Sequence, residues 1–126
     1  MAKVLIIDDD PAVRDLYTQQ FQVEGLETCV AVDGQAALES LSLHKPDLIL
    51  LGMLMPGMDG MQFLRELRNF PEAQATPVII LTNLEANDEV LEGIIEYKPA
   101  YYMLKINTTS KEIVQKVKDI LGVTTK

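Results

Sequence analysis

The chain has 126 residues (14.1 kDa), and with 48% of them apolar it has the makings of one ordered domain with a single sizeable core. Eleven Lys and Arg against 19 Asp and Glu give a net charge of −8, which repels phosphate backbones and anionic lipid and argues against a nucleic-acid or membrane partner. Apolar runs such as residues 4–7 and 78–81 fall far short of the roughly 20 residues of a membrane span, the acids after MAKVLII do not suit a signal peptide, and the lone Cys29 excludes an internal disulfide and fits a reducing cytoplasm.

Taken in chain order, residues 3–7 form an apolar run that reads as a strand and ends in Asp8 and Asp9. Asp10 followed by Pro11 predicts an N-cap and first helical position, and Val13, Leu16, Tyr17 and Phe21 share one face of the helix that follows. A second strand is expected over 27–32, and Asp33 before Gly34 caps a helix over 34–43. His44, ahead of Lys45 and Pro46, lacks an acidic or cysteine partner nearby and reads as an exposed loop residue. Leu48, Ile49, Leu50 and Leu51 predict a buried strand that empties into Gly52 and the loop MLMPGMDG, residues 53–60. Met53, Met55, Met58 and Met61 around that loop are expected to fill gaps rather than bind metal.

A helix is expected over 61–69, a strand over 78–82 ending in Thr82, a helix over 85–96, and a strand over 101–104. Tyr101 and Tyr102 alternate and should face opposite sides of the sheet. Lys105 closes that strand, whereas Lys98 and Pro99 precede it. Thr109 to Glu112 has capping-box spacing, and Ile113, Val117, Ile120 and Leu121 fall on one face of a last helix. Strands alternating with helices, and apolar without internal alternation, predict an α/β fold with a five-stranded parallel sheet covered on both faces. The expectation is one domain over residues 1–126 with no output domain.

In doubly wound folds ligands sit beyond the carboxyl ends of the strands. Asp8, Asp9, Gly52, Thr82 and Lys105 would therefore meet at one rim. Two carboxylates ~5 Å apart repel by about 3 kcal/mol at an effective dielectric near 20, so a partly buried pair calls for a cation or raised pKa values. Hard oxygen ligands suit Mg²⁺. Asp10 is better explained as a helix cap, and Thr82 on its own would be an ordinary β-branched strand residue.

Taken together, the acidic pair after VLII, the loop MPGMDG, the hydroxyl after VIIL and the lysine after YYML resemble the receiver domains of bacterial response regulators. The resemblance covers the whole chain and implies a (βα)5 flavodoxin-like fold and a role in two-component phosphorelay signalling, in the cytoplasm. It further implies that Asp8, Asp9 and the Leu54 carbonyl would hold Mg²⁺, that Thr82 and Lys105 would contact a phosphoryl group, and that Tyr102 would be the aromatic switch. A sensor kinase or downstream signalling protein would be the partner, with residues 85–121 as the contact surface.

Three positions depart from that family. Gly52 stands where the phospho-accepting aspartate is expected, which removes the acceptor and one metal ligand, so Mg²⁺ binding should weaken. Ile106 replaces the proline that usually follows the lysine; a non-proline cis bond costs about 3 kcal/mol, so a trans link is expected. Asn83 follows Thr82 where a small residue is common, and is expected to narrow access to the site. The leading reading is an atypical, non-enzymatic receiver that acts by protein–protein interaction without phosphorylation at position 52. One alternative is a conventional phospho-accepting receiver in which the aspartate has been replaced by Gly52. A flavodoxin-like flavin binder is less well supported, because the loop after the first strand is acidic where a phosphate cradle wants N–H groups or basic side chains. No nucleophile–base set with evident spacing appears.

Overall fold

The structure, a computed structural model, describes residues 1–123. Five parallel strands, β1 (Lys3–Ile7), β2 (Glu27–Ala31), β3 (Leu48–Leu51), β4 (Val78–Thr82) and β5 (Tyr101–Leu104), form one sheet in the order β2-β1-β3-β4-β5. Between them run α1 (Pro11–Val23), α2 (Gly34–His44), α3 (Gly60–Leu67) and α4 (Asp88–Tyr97), and α5 (Ser110–Leu121) follows β5. The strand order reverses between β1 and β3, which places a crevice beyond the ends of those two strands.

Alternate residues of the central strands feed two cores. Leu5, Ile7, Ile49, Leu51, Val78 and Ile80 pack with Phe63, Leu64 and Leu67 of α3, while Val4, Ile6, Leu48, Leu50, Ile79 and Leu81 pack with Tyr17 and Phe21 of α1 and Ile113 and Val117 of α5. Burial on both faces is why these strands read as continuous apolar runs. Each such side chain stabilises the fold by roughly 1.5–3 kcal/mol relative to exposure.

The caps are those the residue types favour. The Asp10 side chain accepts the Ala12 N–H, Asp33 accepts the Ala36 N–H, and Thr109 and Glu112 form a reciprocal capping box. Asp59 and Gln62 form a second capping box at α3, which turns Asp59 to its own helix. Two expectations are corrected. Leu16 is 43% exposed, while Tyr17 and Phe21 on the same helix are buried and Val13 is partly buried against their cluster. His44 is the half-buried final residue of α2 rather than a loop residue; the helix stops one residue later at Lys45, which takes a left-handed conformation (φ 46°) and donates its N–H to Leu41.

The sequence did not flag two cationic side chains that bind distant segments together. Lys118 is buried in α5 and pairs with Glu24 at the end of α1. Arg68 donates Nε to the Tyr97 carbonyl (2.8 Å) and Nη1 to those of Thr76 (2.8 Å) and Ala73 (3.4 Å). It thereby ties the end of α3 to the end of α4 and the approach to β4. Burial lowers the Arg68 pKa, while the carbonyls satisfy its donors.

Candidate functional site

The register aligns Ile7 of β1 with Leu51 of β3, so Asp8 and Gly52 leave the sheet side by side. Asp8 is 5% exposed. Its Oδ1 accepts the Asp10 N–H (2.9 Å), its carbonyl accepts Nη1 of Arg14 (2.8 Å), and its Oδ2 lies 3.5 Å from Nζ of Lys105. Burial pushes the Asp8 carboxyl above its ordinary 3.8; the Asp10 N–H and the Lys105 charge oppose that rise, and the charge of Asp9 adds to it. Asp9 is exposed. Lys105 and Asp8 thus come from opposite ends of the chain to the same rim.

Gly52 is buried and donates its N–H to the Ile7 carbonyl (2.7 Å). Asp8 leans over it. A Cβ at position 52 would lie 2.9 Å from Asp8 Oδ2 and 3.2 Å from its Cγ. The first residue of α3 closes the other side, since a Cβ on Gly60 would run into the Gly52 carbonyl oxygen. Met53 is buried and Met55, Met58 and Met61 are half-buried against the core, as gap-fillers should be.

Thr82 ends β4 at the same rim, 3% exposed, and its Oγ1 accepts the Leu84 N–H (3.1 Å). The Leu84 carbonyl accepts the Tyr102 hydroxyl. Tyr102 is half-buried, whereas Tyr101 is 39% exposed on the other side with Lys116 Nζ 4.8 Å from its ring centroid, so the two do face opposite ways. The peptide between Lys105 and Ile106 is trans, as are all those described. Asn83 does something its residue type alone does not announce: its Oδ1 accepts the Ile106 N–H (3.1 Å). A proline at 106 would have no N–H to offer.

The oxygen donors at the rim are few for a divalent cation. Asp8 already serves an N–H and Lys105, Asp9 is free, and among the described residues no three His, Cys, Asp or Glu side chains gather to hold a metal ion. Mg²⁺ accepts a few protein oxygens and keeps several waters. With one carboxylate already paired, the rim offers a divalent cation few free protein oxygens.

A family model described as the response regulator receiver domain matches residues 4–118. The sporulation initiation phosphotransferase F of Bacillus subtilis is 38% identical over 91 residues, covering 72% of each chain. The DNA-binding response regulator MtrA of Mycolicibacterium smegmatis is 32% identical over 116 residues, 92% of this chain but 49% of that protein. Response regulator PleD of Caulobacter vibrioides is 34% identical over 93 residues, 20% of its length. The chain therefore spans a fifth to a half of some curated relatives it matches. Among solved structures, the Vibrio cholerae chemotaxis protein CheY4 superposes with a TM-score of 0.85 at 26% identity, covering 95% of this chain and 98% of that one. The receiver domain of the Francisella response regulator 1452 gives 0.84 at 30% identity, covering 97% and 98%. No described helix is long and apolar enough to cross a membrane. With its doubly wound five-stranded sheet and its acids and lysine at one rim, the chain belongs to the response regulator receiver domains of two-component signalling.

Proposed function

We propose that this is an atypical receiver domain that works by binding a signalling protein without being phosphorylated at position 52. The observation that carries the reading is Gly52 itself, with Asp8 leaning over the place a side chain would take. Phosphoryl transfer depends on placing an in-line nucleophile among neutralising charges, and glycine offers no nucleophile. Asp59 is no substitute, because its carboxylate is engaged in capping α3. Lys105 supplies a cation to the buried Asp8 carboxylate in place of a metal-centred arrangement. When Mg²⁺ binds, Asp8, Asp9 and the Leu54 carbonyl would hold it weakly, and it would supply only charge neutralisation.

The contact surface in this reading lies within residues 85–121, where Leu91, Ile95 and Tyr101 are exposed apolar groups beside the acids of α4. A sensor kinase or a downstream signalling protein is the class of partner. Affinity capture of the native partner with wild type and with Leu91→Asp/Ile95→Asp tests this. The same partner should be recovered with and without acetyl phosphate and Mg²⁺ and lost with the double substitution. Recovery only after the phosphodonor, or capture indifferent to α4, would contradict it.

The contrary reading, a conventional receiver whose acceptor aspartate has been replaced by Gly52, is disfavoured by the fit between Asn83 and Ile106. These two departures from the family bond to each other, which is the mark of a site settled without the proline.

A further inference from the structure

We propose that Asn83 is a positioning residue whose hydrogen bond to Ile106 clasps the loop after β4 to the turn after β5, holding both in one arrangement without a phosphoryl group. The proposal rests on the reading of a receiver that works unphosphorylated, and it names the device that replaces the missing ligand.

The β4–β5 ladder runs out at Thr82 and Leu104. Beyond it two loops leave the sheet, and nothing in the backbone pairing joins them. One side chain joins them, and two others brace the first loop. Thr82 Oγ1 accepts the Leu84 N–H and shapes the first loop from within. The Tyr102 hydroxyl donates to the Leu84 carbonyl from β5. Asn83, between them, reaches across 23 residues of sequence to the Ile106 N–H. Lys105, next to Ile106, extends the connection to Asp8, just beyond β1. The chain of contacts therefore runs from the acid at the rim, through Lys105 and Ile106, to the loop that leads into α4.

The bond is specific to this pair of residue types. It needs an acceptor on the side chain at 83, which a small apolar residue lacks, and a backbone donor at 106, which proline lacks. Both residues are exposed, with Ile106 at 74%, so the contact does not follow from burial. An exposed hydrogen bond adds little to global stability. Its consequence is local order: it reduces the arrangements available to residues 83–87, the loop that leads into α4.

Amide hydrogen exchange and NMR spectra of the full chain test the clasp in Asn83→Ala, Asn83→Asp, Ile106→Pro and the Asn83→Ala/Ile106→Pro pair. Asn83→Ala should speed exchange at the Leu84 amide roughly fivefold, the loss of one ordinary hydrogen bond, and shift the Tyr102 ring resonances. Ile106→Pro should do the same, and the pair no more than either alone, because both remove one bond. Asn83→Asp keeps the acceptor and should retain wild-type exchange. Unchanged Leu84 exchange and Tyr102 shifts in Asn83→Ala, or additive effects in the pair, would overturn the proposal. These readouts do not involve phosphorylation: uptake of a phosphoryl group by the wild-type chain would remove the functional reading and leave the clasp measurement standing, while a failed clasp measurement without uptake removes the clasp alone.

Discussion

The Asp8 carboxylate occupies the approach to Gly52: a Cβ at 52 would sit 2.9 Å from Asp8 Oδ2, and that same oxygen lies 3.5 Å from Lys105 Nζ. The acid, the lysine and the glycine make one arrangement, in which the lysine answers the buried charge and the absence of a side chain at 52 leaves room for the acid.

Restoring a carboxylate should therefore disturb the site before it repairs it. Gly52→Asp forces the Asp8 side chain aside and sets two carboxylates together, at a cost of roughly 1–3 kcal/mol without a divalent cation. Mg²⁺ should recover most of that loss by supplying the missing positive charge. Thermal melts of wild type and Gly52→Asp, with Mg²⁺ and with a chelator, read both effects. A variant as stable as wild type in chelator would show that Asp8 does not crowd position 52.

Asp8 also makes stability depend on pH in a defined direction. Its folded-state pKa lies above 3.8, so in the window from 3.8 up to the raised value the folded chain holds a proton that the unfolded chain has released. Stability contributed by this group consequently falls as pH rises through that window. Asp8→Asn keeps an oxygen for the Asp10 N–H and removes the charge, while Lys105, whose side chain is 32% exposed, can turn to water or to Asp9. The variant should melt higher than wild type near neutral pH, with an advantage that shrinks on acidification through the window. An advantage that grows on acidification would show the opposite sign of coupling.

Arg68 makes a prediction far from the rim. Its guanidinium satisfies the carbonyls of Thr76 and Tyr97 at 2.8 Å each. Lysine presents a point charge with no planar fork and cannot reach both in the same way. Arg68→Lys should cost about 1–2 kcal/mol and Arg68→Ala about 2–3 kcal/mol in denaturant unfolding. Equal stability of the lysine variant and wild type would mean that charge alone suffices there.

What could be read from the sequence follows the physics of each feature. Strands 48–51 and 78–82 were legible because burial on both faces leaves an unbroken apolar run, and Asp10, Asp33 and Thr109 because capping is decided within a few residues. The rim was legible through order along the chain, since Asp8, Gly52 and Lys105 each follow a strand and Thr82 ends one. Leu16 was misread because periodicity assigns a face but not how much of that face the sheet covers. Arg68, Lys118 and the Asn83–Ile106 bond were missed because each joins segments distant in sequence, and no local spacing signals such a contact. The crowding of Gly52 by Asp8 was missed for the same reason.

With glycine at position 52, the chain has no group there to accept a phosphoryl group. Intact-mass measurement after incubation with acetyl phosphate and Mg²⁺ tests it most directly, with Gly52→Asp run in parallel. No phosphoryl adduct is expected on the wild-type chain, and on the variant only a partial one, because Asn83 and Ile106 hold the two loops together without the proline. A wild-type chain that gains the mass of a phosphoryl group would overturn the reading of an unphosphorylated receiver.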